Sequence, residues 1–184
     1  MNWCAEQKEV SIISMSLGGP SDTFTNNNVK NIIEGKGILI VVAAGNNGDD
    51  ARKYSPASEE TAFTVAASNT SNTLASFSNY GPSVDIIAPG VNCKLAKANS
   101  KSFITLSGTS MATPLVAGWA AIIKGCKQSY KANELIDYMN QHAAKGLIQD
   151  PLRNTPNQFI RVDCVPDCEN DREKPSTDGF ELKC

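Results

Sequence analysis

The chain has 184 residues, 41% hydrophobic and 20% charged, with 17 Lys and Arg against 19 Asp and Glu. That length suits one domain with a real core, and the composition excludes collagen-like, low-complexity and disordered chains. The near-even charge argues against a nucleic-acid partner, and no uncharged apolar run nears the roughly 18 residues of a membrane span.

Met1–Glu9 has neither a basic n-region nor an apolar h-region, so it does not read as a signal peptide. It runs almost directly into Val10–Leu17, a nearly continuous apolar run of the kind buried on both faces of a parallel sheet. A start this close to a buried strand reads as the interior of a longer protein. Gly18-Gly19-Pro20 stops the strand, and Ser21 or Asp22 caps a helix predicted over 22–35, with Phe24, Val29, Ile32 and Ile33 on its apolar side. Gly35-Lys36-Gly37 ends that helix before a second apolar strand, Ile38–Ala44. Strand, helix and strand with short connections form a βαβ unit, so the two strands should be parallel.

Further strands are expected at Ala62–Ala67, Val84–Ile87, Val91–Ala96 and Phe103–Leu106. Ser110–Lys124 is apolar around most of its circumference and reads as a buried helix. Residues 132–144 form a more polar helix carrying the single histidine, His142, and Gln158–Val162 suits a last strand. The sum is an α/β architecture with a mostly parallel sheet and helices on both faces.

Three segments carry candidate chemistry. In Ser107–Pro114 a Gly-Thr turn delivers Ser110 to the first turn of the buried helix, where free N–H groups favour anionic species. Ser110 is there either a nucleophile or an N-cap, the commoner use of serine at such a place. Ala43-Ala44-Gly45-Asn46-Asn47-Gly48 follows a strand at its carboxyl end, where open parallel sheets bind ligands. Asn46 can donate to a developing oxyanion, or belong to a plain Asn-Gly turn. Ser16-Leu17-Gly18-Gly19 ends the neighbouring strand and can form a second wall of the same cleft.

Residues 163–184 hold seven acids against three bases and three of the six cysteines, which marks a boundary near Val162. Two segments are therefore expected, a body at 1–162 and an acidic, Cys-containing extension at 163–184. The cysteines favour disulfides in an exported protein, with the pairing open among 15 possibilities. The sequon Asn69-Thr70-Ser71 leans the same way.

SLGG, AAGN and GTSMATP, in that order, resemble the subtilisin-like serine proteases, and most closely their proteinase K-like group. Ala51–Glu59 and Ala75–Gly81 are similar to that group as well. The resemblance runs from about Ile12 to Val162. It implies a three-layer subtilisin-like fold with a mostly parallel sheet, the N-terminal part of the domain missing, and a protein or peptide as substrate. By position Ser110 matches the nucleophile and Asn46 the oxyanion donor. Ser16, Leu17 and Gly18 match one border of the specificity pocket, and Ala43, Ala44 and Gly45 match the other. Asp85 matches a calcium-ligating aspartate, with the carbonyls of Glu60 and Ala62 as co-ligands. Its bland reading is a partner of a local turn. The resemblance implies a structural calcium, no cofactor for the chemistry, and a monomer if the domain is complete.

The departures from the family are specific. Its triad runs Asp, His, Ser along the chain, yet the residues before Ser16 include neither Asp nor His. His142 follows Ser110 and reads as a surface histidine. Leu115 stands where GTSMATP is usually followed by His. The expectation is a piece of a secreted endopeptidase, inactive alone. A pseudo-protease that binds peptides or a partner is the alternative. No GxSxG elbow supports an α/β-hydrolase esterase.

Overall fold

A computed structural model describes residues 1–149, 151–163, 165 and 168. A short helix α1 (Asn2–Glu6) leads into β1 (Ile12–Met15), β2 (Gly19–Pro20), α2 (Thr23–Lys36) and β3 (Leu39–Ala43). Then come β4 (Tyr54–Ser55), β5 (Phe63–Ser68), β6 (Ile86–Pro89) and a hairpin of β7 (Cys93–Ala96) and β8 (Phe103–Leu106). Helices α3 (Thr109–Cys126) and α4 (Ala132–His142) and two short strands, β9 (Ala144–Lys145) and β10 (Gln158–Phe159), follow.

The main sheet has the order β1-β3-β5-β6-β10-β9. Its first four pairings are parallel, and β9 joins antiparallel at the far edge. Every residue of β3 and β5 is buried, as expected of strands covered on both faces. Helix α3 packs across β1, β3, β5 and β6, α4 lies beside it, and α2 packs on β3 and β4. The expected α/β class with a mostly parallel sheet flanked by helices is what the structure has.

Helix α2 has the caps its sequence signalled. Asp22 accepts from the N–H of Thr25 at 2.8 Å, and Gly37, at φ +68°, ends the helix by donating to the Ile33 carbonyl. Val29, Ile32 and Ile33 are buried, but Phe24 is 76% exposed. Five residues at about 100° each place Phe24 roughly 140° around the helix from Val29, off the buried stripe. Helix α3 also departs from expectation, because Leu115 and Ile122 are about half exposed while Val116, Trp119 and Ile123 are buried.

The two-residue strands β2, β4 and β9 and the helix α1 were not anticipated. Gly18-Gly19-Pro20 does end β1, yet Gly19 and Pro20 then pair antiparallel with Ser55 and Tyr54. A disulfide joins Cys126, at the end of α3, to Cys168, while Cys4 and Cys93 are free thiols. Cys164 and Cys184 lie outside the described residues, as does most of the 163–184 extension. Within it, Val165 is buried against the main core. Among the described residues no helix is long and apolar enough to cross a membrane.

Candidate active site

The carboxyl ends of β1 and β3 and the first turn of α3 converge on a cavity of about 390 Å³. Leu17 and Gly18 line one side, Ala43, Ala44 and Gly45 the other, and Asn46 and Ser110 stand at it. Ser16 is outside the lining but touches Ser110 directly. Its hydroxyl donates to the Ser110 carbonyl at 2.9 Å, and Ser110 Oγ lies 3.4 Å from the Ser16 carbonyl. Pro114 explains the first bond. It has no N–H to give to the carbonyl four residues earlier, which is that of Ser110, so Ser16 satisfies it from the next element.

Ser110 is not the helix cap. Gly108 holds the N-cap position without a side-chain bond, and Ser110 is the second helical residue, partly exposed. Thr109 instead reaches across to Asn46. Its N–H and its hydroxyl both donate to Asn46 Oδ1, at 2.8 and 3.0 Å, and its Oγ1 accepts from Gly45 N–H at 3.3 Å. With Oδ1 so engaged, the Nδ2 amide is the end of Asn46 available to an incoming oxygen.

The loop after β3 is held by Asn79, which is fully buried. Its Nδ2 donates to the Ala44 carbonyl at 2.8 Å, and its Oδ1 accepts from Asn47 N–H at 2.9 Å and Asp49 N–H at 3.2 Å. Gly45 has φ +104°, and a Cβ there would stand 2.4 Å from Asn79 Nδ2. Only glycine fits. Sequence reading missed Thr109 and Asn79, and also Tyr54, Ser55 and Ala57, which line the cavity from β4 and the turn after it. The Thr in GTSMATP and the Asn of the Ala75–Gly81 segment were visible signals. Their partners lie 63–64 and 30–35 residues away, beyond any local pattern.

Asp85 lies beside β5, where its carboxylate accepts from Thr64 N–H at 2.6 Å. Burial pushes the carboxyl up to about 7, and the Thr64 bond acts in the opposite direction. Ala62 is buried and Glu60 exposed in the turn that leads into β5. Among the described residues no three His, Cys, Asp or Glu side chains gather as a metal site, so a cation here would depend on one carboxylate and main-chain carbonyls. Such a donor set would be all oxygen, the kind a hard divalent ion takes, and the buried Asp85 carboxyl would supply its charge.

His142 ends α4, exposed, stacked on Tyr138 with ring centroids 3.9 Å apart, its Nδ1 2.8 Å from the Tyr138 carbonyl. It leads directly into β9, the sheet edge opposite β1. Five strand spacings of roughly 4.8 Å separate those edges by on the order of 20 Å. The chain's only imidazole is therefore not beside Ser110.

The site is a small-walled cleft at the carboxyl ends of parallel strands, with a serine on a helix N-terminus and a clamped asparagine. A model of the subtilase family, Peptidase S8, matches residues 1–164, and the chain belongs to that family. It is 46% identical over 142 residues to Subtilisin-like protease 1 of Pseudogymnoascus destructans, covering 77% of this chain and 35% of that protein. With Proteinase T of Parengyodontium album it shares 43% identity over 149 residues, 81% of this chain and 50% of the other. A cold-adapted subtilisin-like serine proteinase superimposes with a TM-score of 0.82 at 34% identity, over 89% of this chain and 59% of that one. The chain thus spans between about a third and a half of the length of these two curated relatives.

Proposed function

We propose that this chain is the nucleophile- and oxyanion-bearing part of an extracellular subtilisin-like endopeptidase. The observation that supports the reading is that Asn46, its Oδ1 held by Thr109, and Ser110 line one cavity. Ser110 Oγ attacks the scissile carbonyl carbon, and its proton passes to a histidine that another part of the protein supplies. Asn46 Nδ2 donates to the oxygen as it gains charge. The cavity lining has no charged side chain, which suits an apolar substrate side chain. The Asp- and His-bearing part would also add strands beside β1, one of the two edges of the sheet among the described residues. Residues 163–184 are read as an extension to the domain, and Cys168 within it is bonded to Cys126.

Asp85 and the carbonyls of Glu60 and Ala62 would hold a calcium ion. The ion would stabilise the turn before β5 and supply nothing to the chemistry. The placement of His142 favours one second reading, a non-catalytic protein that binds peptides in the same cavity. Fusing the Asp- and His-bearing part of Proteinase T ahead of this chain separates the two. Casein hydrolysis that disappears with Ser110→Ala supports the peptidase. A folded fusion that binds peptide but does not cleave it supports the second reading.

A further inference from the structure

We propose that Asn69 is an N-glycosylation acceptor, a modification site that the peptidase chemistry does not use. The inference rests on the extracellular reading above. Asn69-Thr70-Ser71 meets the acceptor requirement of Asn, any residue but proline, and a hydroxyl residue. The folded chain presents it where a large polar group can be carried. Thr70, Ser71 and Asn72 form an exposed turn directly after β5, and Asn69 is partly exposed at its base.

The side chain of Asn69 leaves room for the bond. Its Oδ1 accepts from Ser71 N–H at 2.9 Å and Thr73 N–H at 3.2 Å, and its Nδ2 donates to Thr73 Oγ1 at 2.8 Å. A primary amide has two N–H donors, so one remains for substitution while the other keeps Thr73. The turn therefore survives modification. The Cys126–Cys168 disulfide agrees with the oxidising compartment of the extracellular reading, the setting in which such transfer occurs. None of the residues lining the catalytic cavity comes from 69–73, so a glycan there leaves the cleft open. It would also shield an exposed turn of the kind proteases nick.

The donor is a lipid-linked oligosaccharyl diphosphate. Asn69 Nδ2 attacks the anomeric carbon, an N–C bond forms, and the C–O bond to diphosphate breaks. The lipid diphosphate leaves, and the amide nitrogen gives up one proton.

The test is translation of the full chain behind a secretory leader in the presence of endoplasmic reticulum microsomes. Supplying the leader separates failure at Asn69 from failure of the export reading. The expected result is a slower-migrating, protease-protected product that peptide N-glycosidase collapses, converting Asn69 to Asp. Asn69→Gln and Ser71→Ala should each lose the shift. A synthetic peptide spanning residues 66–74, offered to the same membranes, tests the acceptor without import or folding. An unmodified Asn69 in the protected chain, together with an unmodified peptide, would overturn the proposal.

Discussion

Asn46 and Thr109, 63 residues apart in the chain, meet through two hydrogen bonds to a single oxygen, Asn46 Oδ1, at 2.8 Å from the Thr109 N–H and 3.0 Å from its hydroxyl. That contact occupies the oxygen end of the amide and leaves Nδ2 as its donor end. In the Proteinase T fusion, Asn46→Ala should lower kcat roughly 10²–10³-fold with little change in KM. Thr109→Val keeps the main-chain bond and loses the hydroxyl, so a smaller loss of about tenfold is expected, with Thr109→Ser near wild type. Steady-state kinetics on a peptide series measures this. A Thr109→Val effect confined to KM would show that the clamp does not position the oxyanion donor.

Gly45→Ala should be costly to stability. The new methyl meets Asn79 Nδ2, which ties the loop to the Ala44 carbonyl, and the backbone stays in the φ +104° region. Strain of this kind costs roughly 2–3 kcal/mol. Urea unfolding of the purified chain reads it directly, and an unchanged midpoint would mean that the loop relaxes freely.

The elements that were legible in the sequence share one property, which is that local chemistry decides them. The apolar runs around Ile12–Met15 and Leu39–Ala43 read as strands, but only the second is buried on both faces, since β1 lies at a sheet edge with Ile13 and Met15 buried and Ser14 exposed. Asp22 and Gly37 bracket α2 through bonds within one turn. The pairing of Gly19 and Pro20 with Ser55 and Tyr54 is set by residues 34–36 positions apart, and no local signal marks it. Phe24 is apolar yet exposed, because its angle on the helix takes it off the buried stripe. The site divides in the same way. Ser16–Gly18, Ala43–Asn46 and Ser110 stood in recognisable motifs, whereas Thr109 and Asn79 act through contacts that only the fold creates.

The Cys126–Cys168 disulfide closes a segment with a sequence separation of 42. In the chain-entropy account such a loop contributes up to about 4 kcal/mol. Reducing agent, or the pair Cys126→Ser and Cys168→Ser, should therefore lower the unfolding midpoint, with Val165 losing its anchor as well. A midpoint indifferent to reductant would remove the bond from the stability account.

Calcium should raise the thermal midpoint of the chain, since an ion bound only by the native state stabilises it. Asp85→Asn should fold, because the amide oxygen still accepts from Thr64 N–H, yet lose most of the calcium response. Equal responses in the two proteins would place the ion elsewhere.

Catalytic competence is decided by the base. Loss of the triad histidine lowers turnover by roughly 10⁶-fold, equivalent to about 8 kcal/mol of transition-state stabilisation, and His142 sits at the opposite edge of the sheet. The most direct measurement is hydrolysis of casein by this chain alone, alongside labelling of Ser110 by a serine-directed fluorophosphonate and a Ser110→Ala control. No turnover above that control, with labelling restored only when the Asp- and His-bearing part is supplied, is the expected result. Robust Ser110-dependent hydrolysis by the 184 residues alone would contradict it, since it would require a base that the described residues do not place beside Ser110.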